Sequence, residues 1–490
     1  MNYQSTRSEL RSGAMEAVLQ GLAPDGGLFT DPEILSRPFD WKACLKLSEQ
    51  GMAEMILKAL LPGFENMDEL VHRAYSGKFE NERLSPLVPC GDDFVLELYH
   101  GPTSAFKDVA LSMLPQLITQ ARKQLGIKEE IVILTATSGD TGKAALEGFH
   151  DVEGTRIIVF YPEGGVSAVQ RAQMASQNGG NVHVCAVKGN FDDCQRGVKA
   201  AFAGIRGSDY GKRLSSANSI NIGRLAPQTV YYFSAYAQLL SRGRIKLGDK
   251  VDFIVPTGNF GDILAGFYAK LMGLPVGRLV CASNMNNVLY DFIESGTYDA
   301  RREFYRTSSP SMDILVSSNL ERLLFLASGG NTEAVRGWMD ELGKNGVYTV
   351  DRGTLGKIRS VFSAGYADEE EALSTIGRIW HDYNYLCDPH TAVAFHAAEE
   401  YKRRNPEHNC CVVLSTASPY KFPSAVLKAI GGTAQGDEFQ EMEALSHLTG
   451  STAPPNLAGL RDKPLIHRDV IEKTELIDYV KKILSAGGRI

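Results

Sequence analysis

A lysine placed among apolar neighbours at the start of a helix is the residue of this chain best suited to covalent chemistry. The stretch from Leu96 to Leu111 reads L-E-L-Y-H-G-P-T-S-A-F-K-D-V-A-L. An alternating run ends at Tyr99, Gly101-Pro102 signals a turn, and a helical pattern then begins with Lys107 in its first turn. Ala105, Phe106 and Val109 beside it make the ammonium costly to solvate, which lowers its pKa and leaves neutral amine accessible near neutral pH. Such an amine forms Schiff bases. Spacing alone also fits a lysine that merely opens a surface helix.

Four further stretches carry chemistry-bearing residues. Thr257-Gly258-Asn259-Phe260-Gly261-Asp262 follows an apolar run and opens a helical pattern, so its backbone N–H groups and the helix dipole suit an anion. The same turn also reads as a tight connection, and it is not a dinucleotide fingerprint. Thr137-Ser138-Gly139-Asp140-Thr141-Gly142-Lys143 stands at another such junction. It fails as a nucleotide P-loop, because Thr137 stands where the first glycine is needed and Ala144 follows the lysine. Asn221 and Arg224 are three residues apart, on one face if helical, and a planar guanidinium suits bidentate phosphate binding. A structural Arg–Asp pair is the alternative. Thr416, in S-T-A-S-P-Y-K-F (415–422), reads by itself as a helix cap.

The elements that must position these loops alternate in kind. Apolar, β-branched runs at Ile131–Thr135, Ile157–Phe160, Val182–Val187, Val251–Val255, Leu279–Ala282 and Cys411–Leu414 are each followed by a segment of helical period. Continuously apolar strands alternating with helices predict mostly parallel, open sheets with helices on both faces. Ligands bind such sheets at the carboxyl ends of the strands, which is where all these loops lie. The predicted organisation is a helical N-terminal cap over 1–95, an α/β core over 96–300, a polar helical insertion or lobe over 301–385, and the rest of the core with a tail over 386–490. The tail predicts one helix, Thr474–Leu484.

Several motifs, in order, resemble those of threonine synthases, of the longer bacterial and fungal type. They are S-T-R (5–7), G-L-A-P-D-G-G-L-F (21–29), H-G-P-T-S-A-F-K-D (100–108), T-S-G-D-T-G (137–142), S-I-N-I-G-R-L-A-P-Q (219–228), G-N-F-G-D (258–262) and S-T-A-S-P-Y-K-F. The resemblance implies the tryptophan-synthase-β-like, type II pyridoxal-phosphate fold. Lys107 would hold the cofactor, and 258–262 (Gly258, Asn259, Phe260, Gly261, Asp262) would cradle its phosphate. Thr416 would face the pyridine nitrogen. Asp140 would stand where related enzymes commonly carry an asparagine facing the ring hydroxyl. Ser138, Gly139, Thr141, Asn221 and Arg224 would hold the substrate. The family commonly has histidine where Ser418 stands, while Asn284, Asn286, Asp388 and His390 match family segments and would support the site from behind. The implied reaction turns O-phosphohomoserine and water into threonine and phosphate. The same apparatus run as a phospholyase would give 2-oxobutyrate.

Composition sets the outer limits. The chain has 490 residues, 43% hydrophobic and 22% charged, in the range of ordinary globular proteins. A net charge of −7 offers no general attraction to nucleic acid or anionic membranes, so an anionic ligand needs a local positive site. The 8 cysteines show neither C-x-x-C pairs nor metal-ligand spacing, which predicts reduced thiols, a cytoplasmic setting and no metal. The first residues are too polar for a signal peptide, and no apolar run nears the ~20 residues of a membrane helix. A monomer or weak homodimer is expected.

Overall fold

The apolar runs become the central strands of two sheets, and the helical segments between them cover both faces. The chain is described by a computed structural model over residues 3–34, 36–80, 83–137 and 139–485, the Asp192 side chain excepted. Ser138 therefore lies outside the described residues.

The larger sheet has six strands, in spatial order Phe362–Tyr366, Val276–Ser283, Val251–Pro256, Cys410–Ser415, Asp93–Glu97 and Leu87–Cys90. Every pairing is parallel except the last, a hairpin in which Leu87 faces Leu96. The smaller sheet has five parallel strands, Asp469–Glu472, Val182–Lys188, Thr155–Pro162, Glu130–Ala136 and Lys212–Ser215. The runs at 131–135, 157–160 and 251–255 are buried throughout, the pattern of strands covered on both faces.

Helix Lys107–Gln124 follows strand Asp93–Glu97 and is buried over most of its length. It packs on Asp140–Phe149 so closely that a Cβ at Gly148 would lie 2.0 Å from the Leu111 carbonyl oxygen. Only glycine fits that crossing. The two helices, which begin at Lys107 and Asp140, are thereby fixed against each other.

Four features depart from the sequence-based expectation. The N-terminal region holds the expected helices, among them Glu49–Leu60 and Met67–Tyr75, and also a three-stranded antiparallel sheet of Tyr3–Ser5, Arg11–Ser12 and Phe29–Thr30. Strands of two or three residues are too short to show a period. The stretch 301–385 contains the edge strand Phe362–Tyr366, whose Gly365 approaches Ala397 of the covering helix, with a Cβ there only 2.9 Å from the Ala397 Cβ. The larger sheet also crosses the boundary expected at residue 95, because its terminal hairpin is Leu87–Glu97. In the tail, Asp469–Glu472 adds a strand to the smaller sheet, and the helix expected at Thr474–Leu484 runs Leu476–Ser485.

All eight cysteines are free, and seven of them are buried. Burial pushes the Cys281 thiol up to about 12, which leaves it unreactive at neutral pH. Among the described residues, no helix is long and apolar enough to cross a membrane.

Candidate active site

Lys107 is fixed by two loops that are zipped together. The strand Asp93–Glu97 lies beside Cys410–Ser415, and the pairing continues past both strand ends. Leu98 N donates to Ser415 O at 2.9 Å, Phe106 N to Thr416 O at 2.9 Å, and Ser418 N to Ser104 O at 3.1 Å. Asp108 locks the turn from inside, accepting from Thr103 N at 2.8 Å and Thr103 Oγ1 at 2.5 Å. Burial raises the Asp108 carboxyl to about 6 although Thr103 and Lys421 favour its charge.

Lys107 is not a surface lysine. It is 7% exposed, and its Nζ lies 3.2 Å from Ser311 Oγ, 3.7 Å from Asp140 Oδ2 and 5.6 Å from the Phe106 ring centroid. Burial lowers its pKa to about 8; Asp140 opposes that shift, and Arg224 and Lys421 add to it. At neutral pH about a tenth of the amine is therefore neutral, far more than for an ordinary lysine.

Asp140 opens its helix in the company of cations. Lys421 Nζ is 2.7 Å from its Oδ1, Gln170 Nε2 donates to the same oxygen at 3.1 Å, and Ser311 Oγ donates to Oδ2 at 3.3 Å. Burial opposes its charge, but Lys421 and Lys107 overcome that cost and hold the carboxyl far below the usual range. Lys421 is fully buried and also donates to Thr103 O at 3.1 Å, so it ties the lysine loop to Asp140. Nothing in S-T-A-S-P-Y-K-F by itself marks Lys421 for this role.

Arg224 is the most telling of the predicted residues. It is 5% exposed, and among the described residues no carboxylate pairs with it, which removes the structural Arg–Asp alternative. Its guanidinium donates to Ala217 O at 2.9 Å and to Thr141 Oγ1 at 3.4 Å, while Nε is buried with no partner. Burial lowers its pKa to about 10, still fully cationic at neutral pH. A buried, uncompensated cation is costly unless it meets an anion.

Other predicted residues are placed differently. Asn221 donates both amide hydrogens to backbone oxygens, Val18 O at 2.9 Å and Ser216 O at 3.1 Å, and accepts from Gly223 N at 2.9 Å. Its amide caps the turn that carries Arg224, so both of its donors serve the fold and neither is left for a phosphate. Gly139 has φ +135°, and its N–H, like that of Gly142, donates to Thr137 Oγ1. Those two amides are therefore committed within the turn. The Asp262 carboxyl points away from the loop toward Tyr231 and Tyr232, whose hydroxyls donate to it at 2.6 and 2.9 Å, and burial raises it to about 7. What Asp262 offers an anion is its N–H.

The 257–261 turn joins Val251–Pro256 to helix Gly261–Leu271, whose first amides have no intrahelical acceptor. Phe260 has φ +61°, a left-handed conformation that turns the chain sharply into the helix. Gly258 lies against residue 311, where a Cβ would come 2.6 Å from the Ser311 carbonyl oxygen. At Gly261 the nearest atoms to a Cβ are 3.5 Å away. Gly258→Ala should therefore weaken anion binding at this turn by tenfold or more, and Gly261→Ala by about threefold at most, measured by ligand titration. Equal effects would mean that close packing at 258 is not what shapes the turn.

Thr416 directly follows the strand Cys410–Ser415 and is 6% exposed. The cap in this segment is Ser418, whose Oγ accepts from Tyr420 N at 3.3 Å. Behind the site, Asp388 accepts from His390 Nδ1 at 2.6 Å, while Asn284 and Asn286 donate to Asp313 at 2.8 and 3.2 Å.

The described residues thus join a buried lysine of lowered pKa, a charged aspartate, an unpaired buried arginine and a glycine turn at a helix start. Against known proteins, residues 80–416 match the family model for pyridoxal-phosphate dependent enzymes, and 391–480 match the C-terminal region of threonine synthase. Threonine synthase of Pseudomonas aeruginosa is 41% identical over 441 residues, covering 89% of this chain and 91% of the relative. The chain belongs to the threonine synthase family. The crystal structure of pyridoxal-phosphate-bound threonine synthase from Brucella melitensis is 39% identical, with TM-score 0.86 and all of both chains covered. Human "Threonine synthase-like 1" is 36% identical over 94% of this chain, and the chain spans 62% of that relative's length.

In this family setting the site fits pyridoxal phosphate. Lys107 offers a buried amine of lowered pKa, and the 258–262 turn offers helix-start amides suited to an anion. The Arg224 Nε, buried and left without a partner, is a further group that an anion would satisfy.

Proposed function

We propose that this chain converts O-phosphohomoserine and water to threonine and phosphate. The observation that carries this reading is the buried, carboxylate-free Arg224 beside Thr141. Two anions have to be held, the cofactor's phosphate and the substrate's. The 258–262 turn serves the first, and Arg224 with Thr141 serves the second. Thr416 would face the pyridine nitrogen with a hydroxyl that adds no full charge there.

Lys107 would hold the cofactor, which would supply an electron sink for the pair left when a bond to a substrate carbon breaks. The protein's own part is to move protons and to hold phosphate. When not holding the cofactor, the Lys107 amine would act as base toward one substrate carbon and as acid toward the next, a task suited to a pKa near 8. Asp140 remains anionic throughout, because Lys421 compensates it even when Lys107 is neutral. Arg224 carries its positive charge into a protein of net charge −7 and keeps the departing phosphate in place.

Steady-state kinetics with O-phosphohomoserine and with homoserine test the phosphate reading. The phosphorylated substrate should be favoured in kcat/KM by at least about tenfold, given the strength of a charge-assisted contact. Equal values would contradict it.

A further inference from the structure

Between the helices of Lys107 and Asp140 and the glycine turn lies a segment that no strand or long helix supplies. Residues Thr307–Asp313, T-S-S-P-S-M-D, form a loop with a short 3₁₀ turn at Pro310–Met312. Ser311 is its innermost point. Its hydroxyl accepts from Lys107 Nζ at 3.2 Å and donates to Asp140 Oδ2 at 3.3 Å, and its carbonyl backs onto Gly258. An ionised carboxylate can only accept, so Asp140 fixes the direction of the hydroxyl proton and leaves the Ser311 lone pairs facing the lysine.

The loop is held at both ends. Asp313 accepts from Thr307 N at 2.9 Å, Thr307 Oγ1 at 2.7 Å, Asn284 Nδ2 at 2.8 Å and Asn286 Nδ2 at 3.2 Å, which closes the loop on the end of strand Val276–Ser283. At its tip, Ser311 N donates to His390 Nε2 at 3.2 Å. That contact requires the proton on Nδ1, which donates to Asp388 at 2.6 Å. Asp388 is itself fully buried and also bonded by His390 N and the Thr391 hydroxyl. The imidazole packs edge-on against Phe422, with ring centroids 5.0 Å apart. Each link fixes the next, from Asp388 through His390 to Ser311 and then Lys107.

We propose that Ser311 is a further catalytic residue, the hydroxyl that receives the Lys107 amine whenever the cofactor releases it, and that His390 is the positioning residue that holds Ser311 there. A free lysine side chain has four rotatable bonds and strays unless something bonds its end. The Ser311 hydroxyl gives it one place to wait, next to Asp140 and close to the carbons whose protons it must move. The inference rests on Lys107 being the cofactor's anchor.

The test is the pH dependence of pyridoxal-phosphate capture by the full chain prepared without cofactor, followed by the visible absorbance of the covalent product. Capture needs neutral amine, so its rate rises with pH and levels off above the pKa of Lys107, near 8 in the wild type. The groups around that amine are Asp140, Arg224, Lys421 and Ser311, and only Ser311 is changed. The Ser311 oxygen stabilises the ammonium, so S311A should move the midpoint down by about half a unit to one unit, while S311T, which keeps the hydroxyl, should restore it. H390L should shift the midpoint in the same direction as S311A, and H390Q, whose amide oxygen can accept from Ser311 N, should not. A midpoint unmoved or raised in S311A, or equal shifts in S311A and S311T, would overturn the proposal while K107A still fails to capture. Capture by K107A at the wild-type rate would overturn the anchor reading, and this inference with it.

Discussion

Lys107→Ala should abolish turnover, by at least about a thousandfold, and remove the visible absorbance of the covalently held cofactor. Among the described residues, no other primary amine is placed to substitute. Lys421 is the nearest alternative, but its Nζ is bound to Asp140 at 2.7 Å and to Thr103 O. The fold should survive, because Lys107 contributes one distant ion pair at 3.7 Å and one hydrogen bond at 3.2 Å, and Asp140 keeps its closer partner. Circular dichroism and thermal unfolding should therefore stay near wild type while activity and colour vanish. Retained activity would place the chemistry elsewhere.

Arg224→Ala should lower kcat/KM for O-phosphohomoserine by about ten- to a hundredfold, the range expected for a charge-assisted phosphate contact. Cofactor absorbance should be unchanged, since the 258–262 turn lies on a different helix. The product mixture should shift toward 2-oxobutyrate, because a phosphate held in place helps keep the unsaturated intermediate from leaving early. Stability should move the other way. The guanidinium is buried without a carboxylate and with an orphaned Nε, so its removal relieves desolvation and strands only Ala217 O and the Thr141 hydroxyl. The melting temperature of the variant should equal or exceed that of the wild type. A large loss of stability would show that Arg224 serves the fold. Equal losses on homoserine and O-phosphohomoserine would show that it does not read the phosphate.

How much of this was legible in the sequence depended on whether a signal was local. The strands from Ile131, Ile157 and Val251 were readable because both faces of a parallel sheet are covered, which demands unbroken apolar runs. The loops at Lys107, Gly258 and Thr137 were readable because strand–turn–helix junctions have a distinct composition. Ser311 gave no such signal. It lies in a Ser/Pro-rich turn within a polar stretch expected to be helical, about 200 residues from Lys107 in sequence, and only the tertiary fold brings them together. Lys421 was hidden in another way, since nothing local distinguishes a fully buried lysine from an exposed one after Pro419-Tyr420. Asn221 misled in the opposite sense. Its spacing from Arg224 suggested a shared ligand, yet an asparagine just before a helical turn is also a cap, and here its amide is wholly taken up by backbone. Sequence spacing places side chains on one face; it does not say which backbone groups will claim them first.

Product analysis of the wild-type reaction with O-phosphohomoserine tests the central claim most directly. Nuclear magnetic resonance of the completed reaction should show threonine as the main product, with one phosphate released for each substrate consumed. Mostly 2-oxobutyrate, or an unconsumed substrate with colour-bearing enzyme, would contradict the account.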